Sequence, residues 1–204
     1  MVNYRFVSLI LLGLLLMTGS VHGALIHHWT FDIDATDSVG GLNGTVKGPV
    51  VVPGKIGNGL LFDGSDDSVE FSNFVPSQQG TFVLWMNPAS VGPRGRFLGS
   101  VDQFEVYVEN GIIANQLFSA GSTSNYIVSS TILMENTWYH IALVYDGMSY
   151  LQQIYINGQL DAEDLKADDP WAGAAEISHS VTGPARARTS TTVSWMMSGI
   201  TTMS

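Results

Sequence analysis

Beyond residue 23 no stretch keeps a helical spacing of apolar residues. Short runs alternate apolar and polar side chains instead, and each run stops at Gly, Asn or Asp. Alternation at period two sends one side of an extended segment into a core and the other toward water, so the pattern selects strands. Segments 25–31, 59–62, 68–71, 96–100, 104–108, 137–145 and 153–160 read this way. The run Thr81-Phe82-Val83-Leu84-Trp85-Met86 is almost wholly apolar and is expected as a central strand buried on both faces. Asp63-Gly64-Ser65-Asp66-Asp67 is expected to close a hairpin. Glu109-Asn110-Gly111 and Asn157-Gly158 are expected as tight turns, because both dipeptides tolerate positive φ. The fold class is all-β: an antiparallel two-sheet β-sandwich or jelly roll.

The N-terminus carries a different message. Arg5 precedes an apolar run over residues 6–17, followed by small and polar residues to Gly23. That is the make-up of a secretory signal peptide, and the run is shorter than the ~20 apolar residues of a membrane span. Residues 1–23 are therefore expected to be the signal, 24–173 one β-domain and 174–204 an irregular tail. The expected location is secreted or extracytoplasmic, with no membrane insertion after cleavage.

Cysteine is absent, which excludes disulfides, thiolate metal sites and cysteine nucleophiles. The balance of 8 Lys+Arg against 18 Asp+Glu, net -10, argues against nucleic acid as a partner, since phosphate binding needs a cationic face.

Four motifs in order carry a resemblance: His28-Trp29-Thr30-Phe31-Asp32, Gly54-Lys55-Ile56-Gly57-Asn58-Gly59-Leu60-Leu61-Phe62-Asp63-Gly64, Asn136-Thr137-Trp138-Tyr139-His140-Ile141-Ala142, and Tyr155-Ile156-Asn157-Gly158. Together they resemble the LamG-like jellyroll family of the concanavalin A-like lectin and glucanase superfamily. The resemblance implies two packed antiparallel sheets, and a module that binds glycans or cell-surface proteins, often with calcium. The superfold also hosts enzymes, so fold alone does not decide function.

The residues narrow the choice. Glu105-Val106-Tyr107-Val108-Glu109 puts two acids on one strand face, yet Tyr107 stands where a middle acid would lie; a solvent-facing strand is the simpler reading, and no catalytic residue is assigned. No Ser sits in a Gly-x-Ser-x-Gly elbow. His27 and His28 are adjacent on a strand, face opposite ways and cannot chelate one metal. Structural calcium is the candidate cofactor, with Asp32 and Asp34 (and Asp37 beside them) after the first strand and Asp63, Asp66 and Asp67 in the next loop. Asx-turns and caps are the commoner reason for aspartates in such loops. For sugar stacking the candidates are Tyr126, Tyr150 and Trp171, while Trp29, Trp85 and Trp138 are expected to pack inside.

The leading expectation is thus a secreted non-catalytic module binding carbohydrate or a cell-surface partner. The alternatives are a structural or adhesive segment of a truncated surface protein, or a degenerate glycoside hydrolase.

The tail breaks the pattern. Members of the family end in a strand resembling Gly-Leu-Ile-Asp-Asp-Val-Arg beside the first strand, whereas residues 178–192 show no alternation. Read from the third base of each codon, residues 193–198 can spell Gly-Leu-Met-Asp-Asp-Val. The last strand is accordingly expected to be missing or altered by a frameshift near Ser178, leaving an unpaired sheet edge.

Overall fold

The computed structural model describes residues 23–72, 74, 77, 79–100, 104–118, 124–146, 149, 151–165, 179–182 and 195–203. The expected signal at 1–23 therefore lies outside it except for Gly23, and so do Tyr150 and Trp171. Every regular element among the described residues is a strand.

One sheet runs in the order β13 (Gln159–Leu165), β12 (Leu151–Ile156), β11 (Tyr139–Asp146), β6 (Gln79–Pro88), β15 (Trp195–Met203), β4 (Asn58–Phe62), β3 (Val50–Pro53), with β1 (Leu25–Trp29) also on β15. The other runs β10 (Ser124–Val128), β9 (Ile112–Phe118), β8 (Phe104–Glu109), β7 (Gly95–Ser100), β14 (His179–Thr182), β5 (Ser68–Phe71), β2 (Thr45–Lys47). The core lies between them. Leu60, Phe62, Leu84, Met86, Ile141, Leu143 and Ile154 from the first sheet pack with Val69, Phe71, Phe97, Val106, Val108 and Ile113 from the second. A buried hydrogen bond from Asn115 Nδ2 to Gln152 Oε1 (3.2 Å) also crosses this layer. It pairs two amides that would otherwise be buried without partners.

Four expectations change. First, β6 is not buried on both faces. Its burial alternates along the strand, with Phe82, Leu84 and Met86 inward and Val83 and Trp85 half-covered on the outside. Trp85 is capped there by Lys55, 5.3 Å above its ring, and edged by His140 at 5.0 Å. Second, Trp138 is also only half-buried, and of the three tryptophans placed inside only Trp29 is fully packed, its indole donating to the Leu42 carbonyl at 2.7 Å. Third, Asp63–Asp67 does not close a hairpin. β4 pairs with β3 and β15 while β5 pairs with β14 and β2, so this loop crosses from one sheet to the other. Local turn chemistry looks the same in both cases; only the pairing of the flanking strands separates them.

Fourth, the stretch 174–204 is not irregular throughout. β14 pairs with β5 and β7, and β15 lies between β6 on one side and β4 and then β1 on the other. Its register sets Trp195 opposite Phe62 and Met197 opposite Leu60, then Thr201 opposite His28. A strand is thus present in the sheet at 195–203, where the closing strand was expected to be missing or altered. It overlaps the segment whose shifted reading spells the family motif.

The two Asn-Gly turns behave as expected. Asn110 and Gly111 have φ of 51° and 79°, and Asn157 and Gly158 have 52° and 79°, the positive pair a two-residue hairpin turn requires.

Candidate functional site

Strand β8 sends alternate side chains to opposite faces. Phe104, Val106 and Val108 enter the core, so Glu105 and Tyr107 emerge on the outer face of the second sheet. Register then defines their neighbours. Tyr126 lies opposite Gln116, and Gln116 opposite Glu105; Tyr107 lies opposite Arg96 on β7. Directly opposed residues share a face, so these side chains form one continuous surface.

Glu105 is buried, and its Oε1 accepts from Arg94 Nη2 at 2.7 Å and Arg96 Nη2 at 2.9 Å. The Arg94 guanidinium also stacks 3.7 Å above the Tyr107 ring. Partial burial pushes the Tyr107 hydroxyl above its ordinary range, and the Arg94 charge opposes that shift. Tyr126 is 53% exposed at the edge of this surface. An aromatic ring, an amide and fixed guanidinium edges side by side can stack on a sugar ring and hydrogen-bond its hydroxyls. Of this group sequence reading named Tyr126 alone as a ligand contact. Gln116, Arg94, Arg96 and the ion pair come together only through strand register, although alternation along 104–109 could have flagged Tyr107.

The acids separate into three arrangements. Asp37 is a structural hub: its carboxylate accepts from the backbone N–H groups of His28, Val39, Gly40 and Leu42 and pairs with His27 Nδ1 at 2.6 Å. Burial opposes its ionisation, but these donors outweigh burial and hold the carboxyl far below the usual carboxylate range. With its lone pairs so engaged, Asp37 is not a metal ligand. Asp32 accepts from the Asn58 N–H at 2.7 Å and ties the loop after β1 to the start of β4. Asp34 makes an Asx-turn to the Thr36 N–H at 2.8 Å, and hydrogen bonds from the Thr36 hydroxyl and then its N–H lower its pKa.

Asp63, Asp66 and Asp67 are different. Ligand oxygens from all three lie within 4.8 Å of one another, and among the described residues this is the group of three or more acids or histidines so gathered. Asp63 caps the Ser65 N–H, and Asp67 accepts from the Asp63 N–H, both at 2.8 Å. Gly48, at φ 95°, packs directly against the Asp67 carboxylate where any Cβ would collide. The donor set is all-oxygen and loop-borne, the chemistry calcium prefers.

His27 and His28 do diverge: His27 stacks on Trp29 at 5.3 Å, and His28 meets the Ser38 hydroxyl at 3.0 Å.

Comparison with known proteins adds the family. A family model for the concanavalin A-like lectin/glucanases superfamily matches residues 63–187. The chain belongs to that superfamily. Solved structures share this member's fold at low identity. The binding domain of Paraclostridial Mosquitocidal Protein 1 superposes with a TM-score of 0.71 at 13% identity, covering 88% of this chain and 48% of that one. A structure of botulinum neurotoxin type C, whose cell entry depends on two ganglioside molecules, gives 0.68 at 14%, covering 89% and 47%. The botulinum neurotoxin serotype D binding domain gives 0.66 at 16%, covering 89% and 48%. This superfamily member thus spans about half the length of those chains. No curated protein matches it in sequence.

Proposed function

We propose that this chain is an exported, non-catalytic binding module whose ligand is a glycan, free or displayed on a cell-surface partner. The observation that carries the reading is the outer face of the second sheet, where exposed Tyr126 stands beside Gln116 and the Arg94–Tyr107 stack. The fold shared with toxin binding domains supports a binding role, and the net charge of -10 disfavours nucleic acid. Retaining hydrolysis needs two free carboxyls ~5–5.5 Å apart. Glu105 is instead committed to two arginines, and Tyr107 stands between it and Glu109.

The test is a glycan array with the expressed protein, followed by titration of the best ligand. Tyr126→Ala is expected to weaken binding about tenfold, the effect of losing ~1.4 kcal/mol, without moving the unfolding midpoint. Reducing ends released from any β-glucan would overturn the non-catalytic reading.

Calcium is proposed as a structural aid at Asp63, Asp66 and Asp67. If it binds there, calcium at 100 times its Kd adds about 2.7 kcal/mol to stability, read as a rise in Tm that Asp66→Asn abolishes. A Tm indifferent to calcium would leave these acids as turn formers.

A further inference from the structure

We propose that the outer face of the second sheet takes a neutral, hydroxyl-rich sugar and discriminates against acidic ones; this rests on the glycan reading above and names its ligand class. The charges on the face are already balanced. Arg94 and Arg96 both converge on Glu105, and Glu109 lies on the same strand face one repeat beyond Tyr107. Both cations thus pair with Glu105, and Glu109 adds a second carboxylate to the same sheet surface. The lysines among the described residues serve elsewhere, Lys47 paired with Glu70 at 2.6 Å and Lys55 over Trp85.

An acidic sugar would have to recruit Arg94 or Arg96 to offset the desolvation of its own charge. Doing so draws counter-charge away from Glu105, whose side chain is only 9% exposed, and an under-compensated buried carboxylate is strongly unfavourable. Arg94 is further held by its stack on Tyr107. The whole molecule, at -10, also repels anions on approach.

A hydroxyl meets none of these costs. It donates to the Gln116 carbonyl or accepts from an exposed guanidinium edge without disturbing the ion pairs, while Tyr126 covers the apolar side of the ring. Stacking then supplies affinity, and the neutralised arginines supply fixed donors. The device is selective because its cations are spoken for.

The experiment titrates the expressed protein with neutral hexose oligosaccharides and, separately, with sialylated, uronic-acid and sulfated ones, at about 0.05 M and about 0.5 M salt, a range over which screening removes most exposed charge attraction. Neutral sugars are expected to bind at least tenfold more tightly than acidic ones, with less than a twofold change across the salt range, and to lose that binding in Tyr126→Ala. Preference for acidic sugars, weakening with salt, overturns the ligand class and leaves the binding-module reading standing. Neutral binding unaffected by Tyr126→Ala overturns the assignment to this face. No binding in any arm overturns both this inference and the glycan reading.

Discussion

A chain ended at Gly173 loses its cooperative fold. Such a chain keeps every segment that alternates cleanly in sequence, but it lacks β14 and β15. β15 is an interior strand, bonded to β6 along one edge and to β4 and β1 along the other. Its removal splits the first sheet and exposes three rows of unpaired N–H and C=O groups beside the core. Each ladder bond contributes roughly 1 kcal/mol net, and each orphaned buried group costs more. Lost along two edges at once, they match the whole stability of a typical domain, about 5–15 kcal/mol. Near-ultraviolet circular dichroism and urea unfolding should show no cooperative transition, with dye binding to exposed apolar surface. Thr201→Pro tests the same claim without truncation. Thr201 lies between Val83 and His28, where proline removes a donor from the middle of a sheet. A chain ended at 173 that unfolded with the full-length midpoint would refute the placement of β15.

Asp37→Asn is the second large effect, expected to cost on the order of 3 kcal/mol or more, since a buried charge that satisfies several N–H groups is replaced by an amide that cannot accept them all. The same site sets an acid limit. The folded-state pKa of Asp37 is depressed from 3.8, so its contribution is complete above that value and is lost as pH falls below it. The stability gap between wild type and Asp37→Asn should therefore be constant from neutral pH down to about 5. It should then shrink by up to about 1.4 kcal/mol per pH unit below about 4. Urea midpoints of the two proteins at a series of pH values read this directly. A gap that persisted undiminished at low pH would remove Asp37 from the role.

The position of Asp37 also shows how far sequence reading reached in this loop. Asp32, Asp34 and Asp37 look alike as spaced acids after a strand. Their roles diverge because Asp37 folds back under β1 to meet four backbone donors, Asp32 reaches across to Asn58, and Asp34 caps its own turn. Spacing along the chain carries no information about which backbone will arrive opposite a carboxylate. Trp85 makes the same point for hydrophobicity. Its neighbours are all apolar, but a strand has two faces, and here Lys55 and His140 lie against Trp85 on the outer one.

What the sequence determined by itself was local and periodic. Alternation specified strands and hence the all-β class, Asn-Gly pairs specified turns through their tolerance of positive φ, and four ordered motifs specified the superfamily that the family model confirms. What only the tertiary structure decided was pairing between distant segments. It sends the loop at 63–67 between sheets, seats Trp195–Met203 at the centre of one sheet, and aligns Tyr126, Gln116, Tyr107 and two arginines on the face of the other. The physical reason is that strand hydrogen bonds are made by backbone groups common to every residue. Period and turn chemistry are written in side chains, whereas the choice of partner strand emerges only when the whole core is packed.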